Sequence, residues 1–100
     1  MEKKKPHYDL ALIKSLIESK QFKITAIARN NALESFGFFP GMVIKEILSL
    51  EGTDFYKSMT TNNDNKIWQD VYHKPIDFKI AYIKIQIVCE KTVIIQFKEK

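Results

Sequence analysis

Cysteine is almost missing: Cys89 is the only one in 100 residues. That excludes an internal disulfide and any Cys-x-x-Cys metal pair, and it fits a reducing, cytoplasmic setting. Histidine is nearly as scarce. His7 and His73 are too far apart in sequence for ligand-like spacing, so no metal site is expected and each reads as a surface residue. Glycine and proline number three each, which removes collagen-like and low-complexity classes. No Gly-x-Gly-x-x-Gly, P-loop or Gly-x-Ser-x-Gly string occurs. No apolar run approaches the roughly 18–20 residues that cross a bilayer. The charged opening Met1-Glu2-Lys3-Lys4-Lys5-Pro6 has no apolar segment of a secretion signal behind it. An enzyme made from this chain is expected to work without cofactor, metal or histidine base.

What is present describes one globular domain over residues 1–100. Apolar residues make up 45% and charged residues 28%, as in ordinary soluble domains. A chain this long buries roughly 60–68% of its unfolded surface, enough for one core. The net charge is +4, and nearly all of the positive charge is lysine, Arg29 being the exception. Such a balance suits a polyanionic partner and equally suits a merely soluble basic protein.

The apolar period changes near residue 53, from helical spacing to alternation. Asp9 is a plausible N-cap for a helix over 9–20 that carries Leu10, Ile13 and Ile17 on one row. Phe22-Lys23-Ile24-Thr25 is a brief edge strand or a connector. Ala26, Ile27, Ala32, Leu33 and Phe36 suggest a second helix that Gly37 stops. Pro40 opens a third, with Met42, Val43, Ile47 and Leu48. Strands follow over 55–61, 66–73, 79–88 and 92–98. Asn62-Asn63-Asp64-Asn65 is a turn, and Pro75 makes 74–77 a connection. The fold class is α+β: about three N-terminal helices on one face of a mainly antiparallel sheet.

Alternation in the last two strands assigns faces. Ile83, Ile85 and Ile87 share one; Tyr82, Lys84 and Gln86 share the other. Val93, Ile95 and Phe97 are expected to lie with the isoleucines. Parity then demands a three-residue turn, Cys89-Glu90-Lys91, pairing Val88 with Thr92, Ile85 with Ile95 and Tyr82 with Lys98. Tyr82 and Lys98 become cross-strand neighbours on a polar face near Lys84 and Gln96. An ordinary solvated sheet face has the same pattern.

The string Asp54-Phe55-Tyr56-Lys57-Ser58-Met59-Thr60-Thr61, followed by Ile67-Trp68-Gln69-Asp70-Val71-Tyr72, resembles the MqsR family of bacterial mRNA interferase toxins. Met1-Glu2-Lys3-Lys4, Pro6-His7, Tyr82-x-Lys84-Ile85 and Phe97-Lys98-Glu99-Lys100 resemble it too. The resemblance runs end to end and is weakest over roughly 20–50.

The resemblance implies a RelE-like fold and a toxin of a type II toxin–antitoxin system. It implies ribosome-independent cutting of single-stranded mRNA within short GC-containing sequences, with no cofactor. The implied partner is an antitoxin with a zinc-binding N-terminal part and a DNA-binding C-terminal part. No DNA binding is expected without it, and no membrane contact. Matched residue by residue, the family's active site falls on Lys57, Gln69, Tyr82 and Lys98, with Tyr56 and Met59 beside them; Tyr56, Met59 and Lys84 are expected to contact RNA. The chain departs from the family where His73 and Lys74 replace expected arginines, and where the last hairpin is one residue longer.

In such a site the RNA 2′-OH attacks the adjacent phosphorus. A lysine with the usual pKa of ~10.4 is a poor base at neutral pH, but clustered cations lower it. One of Lys57 and Lys98 is expected to move the proton while the other holds the phosphate. Tyr82 is expected to donate to a phosphate oxygen or to serve as the acid, Gln69 to orient the phosphate or to read a base edge, and Tyr56 to stack on a base. Each has an ordinary alternative: solvated lysines, a satisfied sheet amide beside Trp68, a packing tyrosine. A non-catalytic RNA- or ribosome-binding module is the alternative function.

Overall fold

The computed structural model describes residues 1–100. Local chemistry sets the three helices. The Asp9 carboxylate accepts the Ala11 N–H at 3.0 Å and starts α1, Leu10–Glu18, which turns Ile13 and Ile17 inward. The Thr25 hydroxyl caps α2, Ala26–Phe36, by accepting from Ala28 N–H at 3.1 Å. Gly37 ends α2 with φ at 70°, where a Cβ would be strained. Pro40 occupies the first turn of α3, Pro40–Leu48, where its missing N–H costs nothing.

A six-stranded sheet makes up the rest. Its strands are β1 (Glu2–Lys3), β2 (Phe22–Ile24), β3 (Phe55–Thr60), β4 (Trp68–Ile76), β5 (Lys79–Val88) and β6 (Lys91–Glu99), in spatial order β1-β3-β4-β5-β6-β2. All neighbours are antiparallel except β2, which runs parallel to β6. The expected α+β architecture is therefore observed, and Phe22–Ile24 is an edge strand. The helices cover one face. Their Ile13, Ile17, Val43 and Ile47 meet Tyr72, Ile83, Ile85, Ile94 and Phe97 of the sheet in a single core. In α2 the inward residues are Ala28 and Ala32, while Ile27 and Leu33 stay exposed; two alanines let the helix lie close on β6.

Two expectations are corrected. Pro75 does not interrupt: β4 continues through Ile76, and the turn is Asp77–Phe78. Pairing of Ile76 with Lys79 across a two-residue turn leaves Pro75↔Ile80 as the non-hydrogen-bonded pair. The Pro75 nitrogen therefore points away from β5, where β3 has already ended, and no ladder bond is lost. The last hairpin has a two-residue turn, Cys89–Glu90, both with positive φ (51° and 60°). Pairing starts at Val88↔Lys91 and runs to Ile85↔Ile94, then skips Ile95 to give Lys84↔Gln96, Ile83↔Phe97 and Tyr82↔Lys98. The additional residue sits in the strand as a bulge. It reverses the faces near the turn, so Thr92 and Ile94 are buried in place of Val93 and Ile95.

Candidate active site

The sheet face away from the helices carries the candidate site, in three cross-strand rows. In the first, Met59 pairs with Gln69, whose Nε2 donates to Oε1 of Gln86 at 2.9 Å. In the second, Lys57, Val71, Lys84 and Gln96 are successive partners. In the third, His73, Tyr82 and Lys98 are successive partners.

A second bulge completes the third row. β3 and β4 pair from Thr60↔Trp68 to Lys57↔Val71, then Phe55 meets Tyr72, leaving Tyr56 unpaired. The Tyr56 ring lies flat on His73, centroids 4.1 Å apart and 19° from parallel. His73 is 5.7 Å from the Tyr82 ring. The ammonium of Lys98 stands 5.4 Å from the Tyr82 centroid and that of Lys84 5.8 Å from it. Lys57 is 5.6 Å from the Tyr56 centroid. Thus Lys57, Gln69, Tyr82 and Lys98, with Tyr56, Met59 and Lys84, share one half-exposed surface. No wall encloses it. The larger groove of the molecule, lined by Ile17, Phe22, Pro40, Ile44 and Leu48, lies on the helix side. A flat cationic face with an exposed aromatic suits a polymeric anion better than a small ligand.

The N-terminal segment supports this face. Fully buried Asp70 accepts the backbone N–H groups of His7 and Tyr8 at 2.9–3.1 Å. Trp68 carries the His7 ring stacked at 5.5 Å and the Lys3 ammonium at 4.2 Å. The Met1 amine donates to Thr60 Oγ1 at 2.9 Å. These contacts dock β1 on β3 and bring the Glu2 carboxylate to 2.7 Å from Lys57 Nζ. Trp68 and Asp70 within the Ile67–Tyr72 string therefore serve the scaffold, while Gln69 and Val71 between them face the site.

The charges differ among the lysines. The Glu2 hydrogen bond holds Lys57 above its ordinary pKa and holds Glu2 below its own. Burial, then Lys98 and Lys57, push Lys84 down. Burial, helped by the neighbouring cations, thus lowers Lys84, while Glu2 raises Lys57. Burial raises the Tyr82 phenol, which stays a donor at neutral pH. Burial, then Lys100 and Lys57, lower His73 below 6.5.

His73, a surface residue by sequence, lies between Tyr56 and Tyr82 in the structure. The sequence signal for it is the alternation from Gln69 through Val71 to His73, since ligand spacing carries no information about a residue in a sheet. No three or more His, Cys, Asp or Glu side chains converge to hold a metal.

The family model described as "Motility quorum-sensing regulator, toxin of MqsA" matches residues 5–99. The chain belongs to the MqsR toxin family. It is 42% identical over 100 residues, the whole of both chains, to the mRNA interferase toxin MqsR of Escherichia coli (strain K12). The match covers the helical half as well, where the sequence motifs are fewest.

Proposed function

We propose that this protein is the toxin of a toxin–antitoxin pair and an endoribonuclease that cuts single-stranded mRNA without a metal. The observation that carries this is the convergence of Lys57, Lys84, Lys98 and Tyr82 on one open sheet face beside the exposed Tyr56 ring. The name of the Escherichia coli relative supports the substrate class.

The lysines draw the phosphate in, and Tyr56 stacks on a neighbouring base. Lys57, kept protonated by Glu2, holds the negative phosphate and its developing charge. Lys98, with no acidic partner, takes the proton from the 2′-OH, and the Tyr82 phenol gives its proton to the departing 5′-oxygen, which leaves as the 5′-OH. Gln69, tied to Gln86, orients the substrate. The 2′-oxygen–phosphorus bond forms as the 5′-oxygen–phosphorus bond breaks. The products are a 2′,3′-cyclic phosphate and a 5′-OH. The family resemblance adds ribosome-independent cutting within short GC-containing sites. It also adds neutralisation by an antitoxin with a zinc-binding N-terminal and a DNA-binding C-terminal part.

End-labelled single-stranded RNA incubated in EDTA, beside the same sequence with 2′-deoxy sugars, tests the reading. Cutting of the RNA alone is expected. RNA bound but left intact would favour the binding-module alternative. Loss of cutting in EDTA would contradict the metal-free mechanism.

A further inference from the structure

His73 sits between Tyr56 and Tyr82 in the third row, and the proposed cleavage does not use it. Its Nε2 is buried and has no hydrogen-bond partner. A buried imidazole nitrogen without an acceptor favours the neutral ring, since a second N–H would stay unsatisfied.

The groups facing it are mostly cationic or neutral donors. From β3 come Tyr56, stacked on the ring, and Lys57 with its Glu2 partner. Lys4 of the N-terminal segment stands 5.1 Å from the Tyr56 centroid. From β5 come Tyr82 and Lys84, from β6 Lys98, and from just past β6 Lys100. Glu2 is the one acidic side chain in this group, and it is engaged by Lys57.

We infer that RNA binding at this face is coupled to uptake of one proton by His73, which makes His73 a positioning residue of the site. The inference rests on the RNA reading above. Phosphates seated on the lysines cancel the charges that oppose a protonated His73. With Nε2 buried, RNA acts on the ring through charge rather than by contact with that nitrogen. His73 then binds a proton more readily in the complex than in the free protein. By linkage, affinity rises as pH falls through the interval between the two midpoints, and the free midpoint lies below 6.5. The neutral ring underlies Tyr56 in the free protein; the charged ring joins the lysine cluster once RNA is in place.

The test is the affinity of a fully 2′-O-methylated oligoribonucleotide, which cannot be cut, measured at fixed salt from pH 7.5 to 5.5. Wild-type protein is expected to bind more tightly toward pH 5.5, by up to about tenfold for each unit by which RNA raises the His73 midpoint. His73→Phe, which keeps the stacking surface, is expected to lose that slope, and His7→Asn to keep it. The His73 ring resonance of wild-type protein, titrated with and without the oligonucleotide, is expected to move to higher pH on binding. This second readout needs no variant. An equal slope in wild type and His73→Phe, or an unmoved resonance, would overturn the role of His73 alone. Absence of binding at every pH would overturn the RNA reading itself.

Discussion

Tyr82 and Lys98 face each other directly across β5 and β6, with the Lys98 ammonium 5.4 Å from the Tyr82 centroid. A two-residue turn and the bulge at Ile95 together produce that pairing. Either device alone would shift the register by one residue. Deletion of Ile95 joins the two paired stretches without a skip and keeps Tyr82 opposite Lys98. The deletion variant is expected to keep RNA cleavage. It loses the bond from the Thr25 hydroxyl to the Ile95 carbonyl (3.1 Å), a cost of about 1 kcal/mol in denaturant titration. Loss of cleavage in a folded variant would contradict the register.

Cys89 and Glu90 both hold positive φ without being glycine or asparagine. Left-handed geometry costs an ordinary residue about 1–2 kcal/mol. Glu90→Gly is therefore expected to stabilise the protein by about 1 kcal/mol, raising the midpoint by roughly 4–8 °C for a domain of this size. A lowered midpoint would show that the turn is not strained there.

The carboxylate of Glu2 sits where a phosphate oxygen is expected, 2.7 Å from Lys57. Glu2→Gln is expected to tighten binding of uncleavable RNA by about two- to fivefold at low salt, with the gain shrinking as salt rises. The pair's own contribution to stability depends on pH. Glu2 is lowered from 4.5, so its share is present above that value and fades as pH falls. Lys57 is raised from 10.5, so its share is present below that value and fades as pH rises. Weaker RNA binding by Glu2→Gln would show that the carboxylate orients Lys57 rather than competing for it.

Buried Asp70 ties the N-terminal segment down through two backbone donors. Asp70→Ala leaves those donors without their acceptor and is expected to cost about 2–4 kcal/mol. Amide exchange should quicken first in β1, because Glu2 and Lys3 pair only with β3. An unchanged melting midpoint would contradict the latch.

The helices and most strand spans were legible from caps and periodicity: Asp9, Gly37 and Pro40 mark their boundaries by local chemistry alone. The Tyr82–Lys98 pairing was legible through parity, although by a different route. The bulges at Tyr56 and Ile95 were not, since a bulge is decided by what packs on both faces, and alternation assumes none. Pro75 misled because its tolerance depends on where β3 ends, a tertiary fact. His73 was overlooked for a related reason, because its neighbours Tyr56 and Tyr82 come from other strands. The Glu2–Lys57 contact joins residues 55 positions apart and needed the Asp70 latch to be seen.

The central claim is that the open face is a lysine-driven RNA-cleaving site. The direct test is the single-turnover cleavage rate of one end-labelled RNA by wild type, Lys57→Met and Lys98→Met, with folding checked by thermal melts. Both variants are expected to melt close to wild type, since neither lysine is in the core, and to cut at least about 100-fold more slowly. Full cleavage by both folded variants would contradict the account.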